Sequence, residues 1–248
     1  MRLMRKVLGE NYDRDNGLLR EAGRKLSPVR DAQALIEVFD QLNDHYRDKL
    51  AGRNRTGVRE QLVRRRKALI ADFRRKRVLG AVLKSLRAAA ERAAAWDLKD
   101  GEVGDLLSGF VRTIRENRKA ARSAYNDAGP DAFHEWRKRA KDLRYHLALL
   151  GKAWPPVLDG YEAAAKELEA KLGDDHNLVV LRNTILESPG DFGRKEEIQA
   201  FLDVVDHQLQ KLRSEAKTLA ERLYAEKPRQ WRRRIELCWS AWKEEKAG

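Results

Sequence analysis

The residues of this chain that could do chemistry stand in rows. Between Pro130 and Lys152, His134, Arg137, Lys141 and Arg144 recur at i, i+3, i+7 and i+10, with Lys138 beside them. At about 100° per residue on an α-helix, that spacing confines the four to an arc of roughly 80°, so their cationic heads leave one side of the cylinder. One helix earlier, Arg112, Arg115, Lys119 and Arg122 repeat the spacing. Arg forks hydrogen-bond phosphate oxygens in pairs, Lys adds a compact charge, and imidazolium donates from either ring nitrogen. The chemistry on offer is anion binding. Like charges at these spacings repel by roughly 0.2–0.5 kcal/mol per pair, so a helix that needed only to stay solvated would interleave acids. A very basic protein does collect Arg and Lys on its wet faces; the repetition of the row is what favours binding.

The elements that must position these rows read as long helices. Pro130 suits a first helical turn, Asp131 favours its positive end, and Gly151 with Pro155-Pro156 stops the helix. Phe133, Trp136, Ala140, Leu143, Leu147 and Leu150 form the apolar stripe that anchors it in a core. Val103 to Asp127 reads as the preceding helix, closed by Gly129.

Hydrophobic residues make up 42% of the 248 and charged residues 37%, with 16 Gly and 6 Pro, a composition of amphipathic helices without strands. The net charge of +13 selects a polyanionic partner: nucleic acid, an anionic membrane surface or a phosphate polymer. A lone Cys238 excludes an internal disulfide and a cysteine-based zinc site. No apolar run reaches the roughly 18 residues of a membrane span, and Met1 to Lys6 lacks the apolar core of a signal peptide, so a soluble, cytoplasmic protein is expected.

Along the chain, residues 1–9 read as the end of a helix carrying Arg2 and Arg5, followed by a helix from Asn11 to Lys25. Leu26 to Asp31 is expected to break the chain, with Ser27 as N-cap and Pro28 in the first turn of the next helix. A polar connection over 51–57 then leads to one long helix from Val58 to about Trp96. Between Arg59 and Arg92 stand 12 basic residues against 3 acidic, with Arg66, Arg74, Arg77 and Lys84 expected on one face. Pro156 to Glu187 reverses the balance with 7 acids against 3 bases. Leu172 to Leu178 is expected to break the helix there, with Asp174 as N-cap; Ser188-Pro189-Gly190 reads as a loop, and helices follow over 194–224 and from Lys227.

The two breaks suggest an internal duplication, with Leu26 to Leu35 aligned on Leu172 to Leu181 and Arg2 to Arg5 on Arg144 to Leu147. The expected fold is all-α, two four-helix bundles (1–128 and 129–248) related by pseudo-twofold duplication. On that alignment the first helix is truncated, and an upstream segment or another copy of the protein is expected to cover its edge.

Other chemistries fit poorly. His134-Glu135 would need histidine at position 138 for a zinc-protease motif, and Lys138 stands there. Asp174-Asp175-His176 is a better metal-ligand cluster, although Asp174 is more simply a cap. Phosphate-binding glycine loops, nucleophile elbows and dinucleotide fingerprints are absent, so no catalysis, cofactor or metal is expected. No helix-turn-helix or zinc finger points to duplex DNA, and aromatics seldom interleave with the basic rows as base stacking would need. The aromatics sit with the core stripes, which disfavours membrane association.

Phe133 to Leu147, reading FHEWRKRAKDLRYHL, resembles the signature helix of the CHAD domains, the conserved histidine α-helical domains. Leu26 to Gln33, Leu172 to Leu178 and Ala225 to Pro228 add to the resemblance, which spans nearly the whole chain. It implies a duplicated helical fold that binds inorganic polyphosphate on a basic surface, often beside a triphosphatase-type CYTH domain. Carried onto this chain, it implies His134, Arg137, Lys141 and Arg144 as phosphate ligands, joined by Arg112, Arg115 and Lys119; Lys138 and Arg122, on the same basic helices, are expected to add to them. Arg2 and Arg5 would be the remnant of the first-half site, and Arg66 and Arg74 would extend the surface. The partners the resemblance implies are inorganic polyphosphate and a triphosphatase-type protein, with polyphosphate granules as a location; the net charge adds nucleic acid as a competing polyanion, and the truncated first helix adds a second copy of the chain. Nonspecific nucleic-acid binding is the alternative function, and a role as accessory domain to a phosphohydrolase comes third.

Overall fold

The computed structural model describes residues 1–50, 55–96, 103–127 and 129–247. Among them are nine α-helices and no strand: α1 (Arg5–Leu8), α2 (Glu10–His45), α3 (Arg55–Arg75), α4 (Val78–Ala94), α5 (Val103–Asp127), α6 (Pro130–Leu150), α7 (Pro155–Glu187), α8 (Lys195–Leu223) and α9 (Pro228–Ala247). Short 3-10 turns precede α1 and follow α6 and α7. The helix boundaries of α5 and α6 agree with expectation. Pro130 occupies the first turn of α6 and Gly151 caps its C-terminus, the Gly151 amide donating to the Leu147 carbonyl. Of the expected polar connection over 51–57, residues 51–54 lie outside the described residues, and Arg55 already opens α3.

Three expectations are corrected. Leu26 to Asp31 does not break the chain, because α2 runs through Pro28. Leu172 to Leu178 lies inside α7, so neither Ser27 nor Asp174 is an N-cap. A mid-helix glycine costs only about 1 kcal/mol and a proline about 3, less than the core burial that Leu35, Phe39, Leu172, Leu178 and Leu181 contribute on either side. Conversely, the single helix expected from Val58 to Trp96 is two. Arg77 sits between α3 and α4 at φ +49°, left-handed backbone that costs a non-glycine residue about 1–2 kcal/mol. Arg66, Arg74, Arg77 and Lys84 therefore do not stand along one continuous helix, although Arg74 and Arg77 still line one pocket.

The chain divides into two compact units, each discontinuous in sequence: Met1–Tyr12, Asp97–His176 and Leu212–Gly248 in the first, Asp13–Trp96 and Asn177–Lys211 in the second. The first is built on Trp136, Phe110, Ile114, Leu143, Leu147 and Trp231, all essentially sealed from solvent. The Phe110 and Trp231 rings meet edge-on at 5.7 Å. The 3-10 turn at Arg2–Met4 docks on α5 at Gly109, where any side chain would collide with the Leu3 backbone. In the second unit Phe39 packs on Phe201 with ring centroids 5.5 Å apart, and the Tyr46 hydroxyl donates to Gln208 at 2.9 Å. Its buried Asp15 is held by Arg14 and Arg92, the Arg92 Nε donating at 2.8 Å.

Candidate functional site

Two neighbours grip α6 from different sides. On the side of α5, the Asn117 amide donates to the Arg139 carbonyl at 2.8 Å, and Thr113 Oγ1 lies 2.9 Å from His146 Nδ1. The Tyr125 ring closes this side edge-on against Phe133 and Trp136. Because the single Thr113 hydroxyl proton goes to the Gly109 carbonyl, the proton of the His146 contact resides on Nδ1. Burial, with the positive charges of the chain's amino terminus, Arg2 and Arg112, pushes the His146 pKa down to about 4. His146 is thus a neutral core residue.

The cationic row faces α7 instead. At one end Arg144 donates to Glu169 at 2.9 Å and to Glu162 at 3.2 Å. At the other end His134 Nδ1 lies 3.2 Å from His176 Nδ1, the rings 4.4 Å apart. Between them Arg137 lies against α7 where Gly173 has no side chain, its Nε 3.7 Å from the point where a Cβ would begin. Lys141 is exposed, 5.9 Å above the Tyr145 ring that Arg144 also overlies at 5.3 Å. Lys138 is exposed and pairs with Glu135 at 3.3 Å. The row is therefore neutralised by two acids at its Arg144 end and more lightly countered at its His134 end, where Glu135 pairs with Lys138 and the Arg137 charge acts on Asp174. Burial, then Lys138 and Arg137, lower the His134 pKa, with Glu135 and Asp131 opposing.

The structure does not join the two expected rows. Thr113 and Asn117 face α6, whereas Arg115, Lys119 and Arg122 lie on the far side of α5, roughly opposite on the helical wheel. All three are exposed and none has an acidic partner among the described residues. Arg122 joins Lys217 on the rim of a groove of about 410 Å³ between α5 and α8, which Tyr125 and Tyr224 also line. Arg112 is taken up structurally, donating to the Arg2 carbonyl at 2.9 Å, and Arg2 itself donates to Asp142 at 2.7 Å. Arg5 lies 4.9 Å over the Tyr12 ring. Arg66 and Arg74 stand on α3, in the other unit.

Sequence reasoning missed the roles of His176, Arg118 and Arg139. Arg139 bridges Glu116 at 3.0 Å and Glu135 at 2.7 Å, and Arg118 donates to the Tyr224 and Glu226 carbonyls where α8 ends. His176 was visible in the Leu172–Leu178 motif, but its pairing with His134 needs a continuous α7. Asp175 beside it is held by Arg213 at 2.6 Å, and the described residues contain no cluster of three or more His, Cys, Asp or Glu able to hold a metal ion. Among them, too, no helix is long and apolar enough to cross a membrane.

Comparison with curated proteins and with solved structures finds no match. A family model does match: the CHAD domain aligns with residues 1–186, which include the whole of α2 and α6 and all of α7 but its last residue. Taken with the all-helical fold and the histidine at the seam of α6 and α7, that match over well more than half of its length makes this chain a member of the CHAD domain family.

Proposed function

We propose that this protein binds inorganic polyphosphate, without turning it over, along the α6–α7 seam of its first unit. The observation that carries the reading is the convergence of His134, His176 and Arg137 at one end of that seam, with Lys138 and Lys141 exposed on the same stretch of α6. Polyphosphate carries about one negative charge per phosphate and no bases, so a cationic track without stacking platforms suits it, and counterion release sets its affinity. Family membership supports the same ligand. Arg115, Lys119 and Arg122 form a separate exposed track on α5, a second contact for a long polymer rather than part of the first site. The internal duplication into two four-helix bundles belongs to this reading. Its support is that both aligned segments, Leu26 to Leu35 and Leu172 to Leu181, lie within long uninterrupted helices.

The test is a salt titration of affinity for long-chain polyphosphate, with duplex DNA as competitor at matched salt. Replacing Arg137, Lys138 and Lys141 together by Ala should weaken binding and flatten the slope of log affinity against log salt by about 0.7 or more per lost phosphate contact. The corresponding triple change at Arg115, Lys119 and Arg122 should cost less. An unchanged slope in the first variant removes the site from α6, and equal or tighter binding of DNA moves the assignment to nucleic acid. Orthophosphate release on incubation would overturn the non-catalytic part.

A further inference from the structure

The second unit carries a feature that lies outside the α6–α7 seam. Where α3 ends and α4 begins, the chain folds around a pocket of about 480 Å³ with a floor of Val29, Ile70 and Phe73 and with Arg74 and Arg77 on its rim. That volume and apolar lining are those of a site that receives a bulky side chain or small ligand. The apolar surface does not stop at the pocket. Leu79 is 54% exposed and Leu83 43%, and half-buried Leu86 follows on the same face of α4, a strip of about 10 Å along the helix. Large aliphatic side chains in a continuous exposed strip mark an interaction surface.

The charges around the strip have one sign. From Phe73 to Ala90 the chain has no acidic residue, and Asp72, the nearest, is committed to Arg75 and to Lys76 at 2.7 Å. Hydrogen bonds from Lys76 and Arg75 hold its carboxyl below the usual carboxylate range, so it stays ionised and occupied. Arg74, Arg77 and Arg87 are exposed and have no acidic partner among the described residues. Arg77 holds its rim position with left-handed backbone at φ +49°, where glycine would sit without strain. Strain retained at a specific side chain points to use of that side chain.

We propose that this elbow is a docking groove for an acidic amphipathic helix of a partner protein, one apolar side chain entering the pocket and flanking carboxylates meeting Arg74 and Arg77. The strip is longer than a small ligand needs, and the pocket is concave, which favours an inserted side chain over a flat lipid surface. The site lies wholly within the second unit and uses no residue of α6 or α7, so it stands or falls apart from polyphosphate binding.

The experiment uses fluorescence anisotropy of the full chain with a labelled synthetic helix, leucines on one face and glutamates on the others. A scrambled peptide of the same composition and vesicles of phosphatidylserine serve as comparisons. The amphipathic peptide should bind at least about tenfold more tightly than the scrambled one. Leu79→Glu, at an exposed position, should lose that preference while leaving polyphosphate affinity unchanged. Arg77→Gly relieves the backbone and should weaken the peptide severalfold while raising the melting temperature. Equal binding of the scrambled peptide, or a preference untouched by both substitutions, overturns the proposal. Vesicle binding that Leu79→Glu abolishes, with no peptide preference, replaces it with a membrane surface.

Discussion

His134 and His176 meet through their Nδ1 atoms, 3.2 Å apart, across the seam of α6 and α7. Such a contact holds one proton, one ring donating and the other accepting; once both rings carry a proton on Nδ1 it turns repulsive. The His134 pKa is lowered, so in the free protein its neutral form stabilises the fold above about pH 6.5, and that stability is lost as pH falls through the lowered value. A bound phosphate reverses the preference by favouring imidazolium. Polyphosphate affinity should therefore rise as pH falls from 7.5 towards 5.5, with protons taken up on binding. His134→Gln should remove most of that dependence and His176→Gln part of it. Isothermal titration in buffers of different ionisation enthalpy measures the uptake, and a His134→Gln protein with the full pH response would sink the assignment.

Arg144 was expected as a phosphate ligand and instead is clamped by Glu162 and Glu169. Changing both glutamates to Gln keeps shape and hydrogen bonding but frees the cation. That variant should bind polyphosphate more tightly, with a salt slope steeper by about 0.7. Arg144→Ala should bind worse than the loss of a single contact implies, because it leaves two carboxylates facing the ligand. If both variants bind like the parent, the Arg144 end of the seam lies outside the site.

Asn117, fully buried in α5, donates to the Thr113 and Arg139 carbonyls at 3.0 and 2.8 Å and accepts from the Tyr224 hydroxyl at 3.1 Å. Tyr224 in turn accepts from the Trp136 indole at 3.3 Å. Every member is satisfied, so removing one strands the next. Tyr224→Phe should cost about 1–3 kcal/mol in urea unfolding, since Asn117 Oδ1 and Trp136 Nε1 both lose their partner. Asn117→Ala adds a cavity and should cost more. A Tyr224→Phe protein as stable as the parent would show that the network is not coupled.

His146 gives a stability signal separate from ligand binding. Its pKa of about 4, against 6.5 unfolded, means that the unfolded chain takes up a proton between those values and the folded one does not. Stability from this group is complete above about pH 6.5 and is lost towards pH 4, a change on the order of 3 kcal/mol. The difference in unfolding free energy between the parent and His146→Gln should shrink by about that amount across the window. A constant difference would mean that His146 titrates normally.

Much of this protein was legible without coordinates, and the residues show why. The boundaries of α5 and α6 followed from Pro130, Gly129, Gly151 and the spacing of Trp136, Leu143 and Leu147, because capping and amphipathic periodicity are local and repeat within one helix. The arc of His134, Arg137 and Arg144 was legible for the same reason: all three meet α7.

What the arc faces was not legible. Whether His134 meets water or His176 depends on α7 running unbroken through Gly173, and helix-breaking propensity of about 1 kcal/mol at a glycine is overruled by burial of Leu172, Leu178 and Leu181. The α5 row shares its spacing with the α6 row, yet Asn117 and Thr113 turn it away, because spacing records which residues share a face and not where that face points. Arg77 is the converse case: nothing in a run of good helix formers announces left-handed backbone, and it shows only where the folded chain turns from α3 into α4. Sequence alone thus determined the all-helical class, the bounds of α5 and α6 with their apolar and cationic faces, and the family. Tertiary structure decided which charges are paired and which stay open to a ligand, because ion pairing depends on residues brought together from distant parts of the chain.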